Sequence, residues 1–207
     1  MKKYKIFTSL QQEENWINHI QSQGYQLVKV KPQIACYEFQ PITTSPKLIR
    51  LDFHEQIMQT DYINYLSLFQ DSGWTCIEGS KRNGTHYFQQ DSLQAGNELF
   101  SDVDSKKALY KRYKKVALSY FIFYLALYIV FVQSRLQHGY QLLQPKTWFL
   151  TPGLWERDGQ SFWFGFFLEL PFALFRSGII EWLLLAIAIY FFTISQKVKK
   201  EMLSLAK

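Results

Sequence analysis

The sequence predicts an α+β protein: an N-terminal α+β domain followed by an α-helical membrane region with two spans. Three observations favour this fold class. Residues 1–115 are polar, carry both signs of charge and alternate between β-prone and helix-prone runs. Residues 116–196 contain few charges and most of the Phe, Leu and Trp of the chain. Basic residues are concentrated at the ends of two long apolar segments, which is typical of membrane proteins.

The first elements of the N-terminal domain are predicted to be a strand, a helix and two strands. KYKIFTS is a short β-prone run. In LQQEENWINHIQSQGYQL, Leu10, Trp16, Ile17 and Ile20 fall near one helical face, and Gly24 is a typical helix stop. LVKV and IACYEF are β-branched and aromatic runs, which favour strands.

The rest of the domain adds a strand, a helix and a hairpin. KLIRLDFHE alternates cleanly, with Ile49, Leu51 and Phe53 on one face. TDYINYLSLFQDSG is a predicted helix that ends at Gly73. WTCIEGSKRNGTHYFQQ is a predicted hairpin with Asn83–Gly84 as its turn.

The resulting order, β-α-β-β-α-β with an extra final strand, is the split βαβ pattern of ferredoxin-like domains. It predicts a ferredoxin-like domain over residues 1–100, with one antiparallel sheet and two helices on one face. The other face is expected to be open to water, a ligand or a partner. On the KLIRLDFHE strand that face carries Arg50, Asp52 and His54.

Two segments are long and apolar enough to span a membrane. Residues 116–134 contain no charge, and at 1.5 Å per residue a helix of this length crosses roughly the 30 Å hydrocarbon core. Residues 177–196 contain one acid, Glu181, near the start. We therefore predict transmembrane helices over 116–134 and 177–196.

The distribution of basic residues predicts the orientation. Ten of the 23 Lys and Arg flank the spans, and the remaining 13 are outnumbered by 17 acids. The positive-inside rule then places both termini in the cytoplasm of a multi-pass protein of the bacterial cell membrane. The same side chains are predicted to contact anionic lipid headgroups. They are Lys106, Lys107, Lys111, Arg112, Lys114 and Lys115 before the first span, and Lys197, Lys199, Lys200 and Lys207 after the second.

The basic segments at the two ends of the membrane region are expected to differ in structure. Residues 101–115 are predicted to be a juxtamembrane helix, capped by Ser101 or Asp102, that runs directly into the first span. Residues 197–207 form a basic cytoplasmic tail.

Residues 135–176 are predicted to form an extracytoplasmic loop. Its last part, 161–176, is an aromatic helix with Pro171 inside it and a polar stripe that includes Glu169 and Arg176. We expect this helix to lie in the membrane interface, and a re-entrant segment or a third span stays open as an alternative.

Three tyrosines recur every fourth residue on one face of the first span. Tyr120, Tyr124 and Tyr128 form a helix-packing face toward the second span or another subunit, or they are lipid-facing aromatics. A homo-oligomer is one of the arrangements that this face allows.

Candidates for chemistry are few. Asp52 and His54 share a strand face and Glu55 follows, but no third metal ligand lies at a supporting spacing. Cys36 and Cys76 lack a CxxC spacing and are predicted to be apolar fillers. We predict no catalytic residue, no cofactor, no metal site and no nucleic-acid partner, and hence a protein that is not an enzyme.

Several segments resemble a known family. They are YKIF, EENWINHIQSQGYQL, YEF, IRLDF, DSGW, HYFQ and, most specifically, ELFSDVDSKKALYKRYKK. Over residues 3–116 the chain resembles DUF2812, a family of bacterial membrane proteins of unknown function. The resemblance implies a cytoplasmic ferredoxin-like domain tethered to spans, and a gene often beside a PadR-type repressor. It implies no catalytic residues.

Two functions follow as expectations. The first is an interaction or sensory protein whose cytoplasmic domain binds a protein partner, in an envelope-stress or drug-response system linked to a PadR-type regulator. The alternative is an accessory subunit of an export system for toxic amphiphiles.

Overall fold

A computed structural model describes residues 1–82, 84–91, 96–100, 102–137 and 144–205. The chain divides into two compact units. Unit 1 comprises Met1–Leu118 and Thr193–Lys207, and unit 2 comprises Ser119–Phe192. The predicted turn residue Asn83, the candidate cap Ser101 and the basic Lys207 lie outside the described residues.

The N-terminal part of unit 1 is an α+β domain, which confirms the predicted class. Two sheets of three strands occur among the described residues, with the orders β1-β3-β2 (sheet A) and β4-β6-β5 (sheet B), and all neighbours are antiparallel. The elements are β1 (Lys2–Tyr4), α1 (Leu10–Gln21), β2 (Tyr25–Lys31), β3 (Cys36–Pro41), β4 (Ile49–His54), α2 (Gln59–Asp71), β5 (Trp74–Glu78) and β6 (Gly84–Gln90).

The expectation of one ferredoxin-like sheet is corrected by this strand order. Each sheet is a split βαβ motif, in which the third strand lies between the first two. The strand β4 does not extend sheet A but begins a second motif, and its one strand partner among the described residues is β6. The domain is therefore two strand-helix-strand-strand halves in tandem, a first half over β1–β3 and a second half over β4–β6.

The outer edge of β4 is covered by polar side chains of α1 instead of another strand. The Asn18 amide donates to the carbonyl of Ile49 and accepts from its N–H, both at 2.9 Å. The Glu14 carboxylate accepts from the N–H of Leu51 at 3.1 Å, and Gln21 donates to the carbonyl two residues before Ile49. Spacings of four and three put these side chains on one helical face, so α1 satisfies an edge that is otherwise free to pair.

A buried carboxylate joins the two sheets. Glu13 of α1 accepts hydrogen bonds from the hydroxyls of Tyr37 on β3, at 2.7 Å, and Tyr87 on β6, at 2.5 Å. Burial raises the pKa of Glu13, and the two hydroxyls oppose that rise only in part.

The helix α2 covers the other face of sheet B. Phe69 of α2 packs with Trp74 and Phe88 in a buried cluster, and Tyr65 contacts Phe88. The expectation of an open face is therefore wrong for sheet B. The alternation of KLIRLDFHE separates two faces correctly, but alternation alone does not show which face the following helix covers.

Three further helices follow: α3 (Val103–Gln137), α4 (Gly159–Arg176) and α5 (Ile179–Ser204). The predicted juxtamembrane helix and first span are one continuous helix, α3. Asp102 caps its start and accepts from the N–H of Ser105 at 2.6 Å. Among the described residues, α3 and α5 are the two helices long and apolar enough to cross a membrane.

The last turns of α5 belong to unit 1. The Lys197 ammonium donates to the Thr8 hydroxyl at 2.5 Å, and the Ser9 hydroxyl donates to the Glu201 carboxylate. Val198 lies fully buried between these contacts along the helix. Both α3, up to Leu118, and the end of α5 are therefore anchored on the N-terminal domain.

In unit 2, the polar stripe of α4 faces inward. Glu169 accepts from the N–H groups of Leu150 and Thr151, at 2.5 and 2.9 Å, and from Arg176 at 2.6 Å. Gly165 lies against Leu154, where a Cβ would come within 3.0 Å of that side chain. The stripe therefore holds the preceding segment onto α4.

Candidate functional site

The strongest candidate site is a group of polar side chains buried between sheet B and α2. Asp52 on β4 and His86 on β6 are directly paired across the two strands. Asp52 is 1% exposed and His86 is 0% exposed. Ionisable side chains are rarely buried to this degree unless they are paired or functional.

Asp52 is compensated by three donors. Its carboxylate accepts from the guanidinium of Arg112 at 3.0 Å, from the Tyr65 hydroxyl at 2.7 Å and from the N–H of Phe53 at 2.8 Å. Arg112 also donates through Nε to the Phe53 carbonyl at 3.0 Å. A buried carboxylate is tolerated when a cation and hydrogen bonds replace its hydration. We call Asp52, Tyr65 and Arg112 the junction, because it links β4, α2 and α3.

Neighbouring contacts extend the junction along α3. The Tyr113 ring packs on Phe53 with 4.8 Å between centroids. The Lys115 ammonium lies 3.2 Å from both carboxylate oxygens of Glu55. The end of β4 is thus attached to α3 immediately before its apolar segment.

His86 has no hydrogen-bond partner for either ring nitrogen within the described part of the chain. Its ring lies among Tyr62, Tyr65 and Phe88, at centroid distances of 5.7, 5.3 and 6.4 Å. Gly79 makes room for it, since a Cβ there would come within 2.3 Å of the imidazole. Burial lowers the pKa of His86, which favours the neutral ring.

The predicted trio of Asp52, His54 and Glu55 does not converge on one point. Asp52 bonds to the junction, the His54 ring nitrogen Nδ1 lies 3.0 Å from the carbonyl of Glu55, and the Glu55 carboxylate pairs with Lys115. Among the described residues, no group of three or more His, Cys, Asp or Glu is arranged to hold a metal ion.

Both cysteines occupy packing positions in the domain. Cys36 is buried, Cys76 is half-buried, and both are free thiols. Burial raises the pKa of the Cys76 thiol to about 11, which keeps it protonated at neutral pH.

Several of the basic residues predicted to contact lipid form ion pairs within the chain, and all but Lys107 of these pair with residues outside α3. The ion pairs are Lys106 with Glu98, Lys107 with Asp104, Arg112 with Asp52 and Lys115 with Glu55. On the tail, Lys197 bonds to Thr8. Lys111, Lys199 and Lys200 are exposed and Lys114 is half-buried. Arg112 is the one whose partner is buried, so its main role is in the junction.

The three tyrosines predicted to form a packing face lie in unit 2, and two of them contact α5. The rings of Tyr120 and Tyr124 are 5.0 and 5.9 Å from the ring of Phe191, and Tyr128 is half-buried. A second link between these helices is the ion pair of Arg135 with Glu181 at 2.6 Å.

Sequence reasoning missed Tyr65, Arg112 and His86 as members of one site. The hairpin register would have paired His86 with Asp52, had β4 been placed beside β6. No local signal distinguishes Arg112 from the lysines around it, because its partner lies 60 residues earlier in the chain.

The comparisons with known proteins give one match. A family model described as "Protein of unknown function (DUF2812)" matches residues 9–122. The search of the curated proteins and the search of the solved structures gave no match.

Proposed function

Since the chain belongs to the DUF2812 family, as its sequence resemblance indicated, we propose a function from the geometry of the junction. The protein is a non-enzymatic, two-span membrane protein whose cytoplasmic N-terminal domain is an interaction or sensory module. The observation that carries this proposal is the junction: a buried Asp52–Arg112 pair ties the domain to a helix that continues without a break into an apolar segment.

Membrane crossing is supported by the exposure of the two long helices. Only 6% of the most apolar window of α3 and 28% of that of α5 is buried within the chain. A core helix of a water-soluble protein would be mostly buried, so these side chains need lipid or another subunit around them.

An even number of crossings is supported by the composition of unit 1. The α3 helix leaves this unit after Leu118, and α5 re-enters it at Thr193. This composition supports a membrane region that starts and finishes on one side, which the flanking basic residues also predict. Two spans fit this arrangement, with α4 at the membrane interface, whereas a third span would separate the tail from the domain.

The junction gives the module a route to the membrane. A partner that moves α2 moves the Tyr65 hydroxyl, which removes one of the three donors that fix the Asp52 carboxylate. The carboxylate is then free to reorient, and Arg112 follows it. Because α3 is one helix, a shift at Arg112 is passed to its apolar segment. The link to envelope stress or drug response, with a PadR-type regulator, comes from the family resemblance alone.

An export accessory is the second candidate, and the surface of α4 favours it. Phe164, Phe167 and Phe172 are exposed there, and they offer an aromatic surface to an amphiphile. Photo-cross-linking of the full-length chain in native membranes separates the two candidates. A sensory module gives protein adducts from a cross-linker at Leu68 on α2, and an export subunit gives them from position 164.

Arg112→Gln provides the control for the sensory proposal. This variant changes a side chain of α3 and leaves the surface around Leu68 on α2 unchanged. The protein adduct at Leu68 should therefore still form, whereas the effect of the bound partner on the membrane region should be lost. An adduct from position 164 with none from Leu68 would exclude the interaction module. A reporter fused after the last residue that is active only outside the cell would exclude the two-span topology.

A further inference from the structure

One end of the N-terminal domain carries three exposed apolar loop residues. Ile6 is 72% exposed, Ile34 is 59% exposed and Met58 is 77% exposed. Each lies in a different connection, after β1, between β2 and β3, and after β4 respectively. An isolated exposed apolar residue is ordinary, but three at one end of a small domain form a surface that calls for a partner.

In the first half, strand direction brings Ile6 and Ile34 together. The central strand β3 is antiparallel to both β1 and β2, so the end of β1 and the turn between β2 and β3 share one end of sheet A. The Lys5 N–H donates to the Ala35 carbonyl at 3.0 Å, which joins the two connections directly.

In the second half, the packing of α1 places Met58 at the same end. Glu14 bonds to Leu51 and Asn18 bonds to Ile49, so α1 runs antiparallel to β4. The start of α1, which follows Ile6, therefore lies level with the end of β4, which precedes Met58. The two halves present their strand-to-helix connections at one common end.

The long helices leave the domain at this end. Lys115, the last residue before the apolar segment of α3, pairs with Glu55 at 3.2 Å. Lys197, the first charged residue after the apolar segment of α5, bonds to Thr8 at 2.5 Å. Under the proposed membrane crossing, on which this inference rests, the connections that hold Ile6 and Met58 are level with the bilayer surface.

The opposite end of the domain differs in composition. Its connections within and between the two halves are residues 22–24, 42–48 and 72–73, which consist mainly of Ser, Thr, Gln, Gly and Pro. Neither these connections nor the described residues 96–100 before α3 carry an exposed large apolar side chain. Met1 and Val103 are exposed near this end but lie outside the connections. In the described loops of the domain, the exposed large apolar side chains therefore lie at the end from which α3 and α5 leave.

We propose that this end is a lipid-docking surface, with Ile6, Ile34 and Met58 inserted at the boundary between headgroups and acyl chains of an anionic bilayer. Basic side chains at the same end of the domain suit anionic headgroups. They are Lys5, Lys31, Lys81 and Arg82. A bilayer is the occupant because the two helices that enter it hold this surface against it.

Photo-cross-linking to lipid tests the surface in the full-length chain. Ile6, Ile34 or Met58 is replaced by p-benzoylphenylalanine, and the protein is placed in nanodiscs of phosphatidylglycerol and phosphatidylcholine. We expect phospholipid adducts, detected by mass spectrometry, from all three positions. Leu68 is the matched control, because it is an exposed apolar residue about 15 Å along α2 from Met58 and should give at least ~10-fold fewer adducts.

A probe at Ile189, exposed in the apolar segment of α5, separates the two proposals. Adducts from Ile189 with none from the three loop positions would overturn the docking surface and leave the membrane crossing intact. Absence of adducts at Ile189 as well would overturn the crossing itself. Protein adducts in place of lipid adducts at the three positions, from native membranes, would show a protein surface instead. Yields unchanged in phosphatidylcholine alone would overturn the preference for anionic lipid.

Discussion

Replacing Arg112 by Met tests the junction most directly. The substitution keeps most of the aliphatic stem of Arg112 but removes the cation from the Asp52 carboxylate, which is 1% exposed. Asp52 retains hydrogen bonds from Tyr65 and from the Phe53 N–H, so its charge is left only partly compensated.

The expected loss can be bounded from burial. Breaking a buried ion pair on one side destabilises a protein by about 3–5 kcal/mol. The Arg112 side chain is 29% exposed, so water can reach the vacated position and the loss should be nearer about 2–4 kcal/mol. The matched control is Lys115→Met, whose pair with Glu55 is more exposed and should contribute about 0–1 kcal/mol.

Thermal unfolding of the full-length chain in lipid nanodiscs, followed by tryptophan fluorescence, measures both variants. For a chain of this size about 2–4 °C of Tm corresponds to 1 kcal/mol, so Arg112→Met should lower the Tm by roughly 4–16 °C. Adding Asp52→Asn should recover part of the loss, because the amide carries no charge to compensate. Equal losses for Arg112→Met and Lys115→Met, or no recovery in the double variant, would refute the buried-pair reasoning.

Three further predictions concern the other buried charges. Burial raises the pKa of Glu13, so the stability that its neutral form contributes is fully present below the unfolded carboxyl pKa of about 4.3 and is lost as the pH rises. Glu13→Gln should therefore flatten the profile of Tm against pH between pH 4 and 8. An unchanged slope would contradict this. Burial lowers the pKa of His86, so the stability that its neutral ring contributes is present above about pH 6.5 and is lost as the pH falls. His86→Leu should therefore lose less Tm than the wild type when the pH is lowered to 5. An equal loss of Tm in both proteins would count against this prediction. In unit 2, Arg135→Glu or Glu181→Arg alone should lower the fraction of protein that stays folded in detergent, because each leaves two like charges together. The double variant, with both charges reversed, should restore that fraction. A double variant no more stable than either single one would show that the two side chains do not form a stabilising pair.

The parts of the fold that depend on local sequence were predictable. The apolar segments of α3 and α5, the cap at Asp102 and the alternation in β4 are all set by residues close together in the chain. The strand partners are not, because pairing depends on which edges remain free after folding. Glu14 and Asn18 look like solvent-facing helix residues in the sequence, yet they occupy the edge of β4 that a ferredoxin-like sheet would have filled.

The candidate site was predictable only in part, for the same reason. Asp52 and His54 were identified as a polar strand face, and in an antiparallel sheet such a face is more often hydrated. The burial of Asp52 depends on α2 and on Arg112, and Arg112 lies 60 residues after Asp52 in the chain. A polar residue between buried positions thus has two interpretations in a sequence, and only the long-range partner distinguishes them.

The first half of the domain holds α5 in the way that the second half holds α3 through the junction. The end of the first strand of the second half, at Phe53 and Glu55, holds α3 through Arg112 and Lys115. The residues after the first strand of the first half, Thr8 and Ser9, hold α5 through Lys197 and Glu201. Each half therefore attaches one long helix at an equivalent position.

We therefore expect a change in the angle between the halves to change the separation of the two helices where they leave the domain. Glu13 bridges the two halves, because its carboxylate bonds to Tyr37 in the first half and Tyr87 in the second. Its charge is poorly compensated, since the described structure offers it two hydroxyls and no cation. Protonation of Glu13, or a partner that displaces one tyrosine, would therefore act on both helices at once, whereas a change at the junction acts on α3 alone.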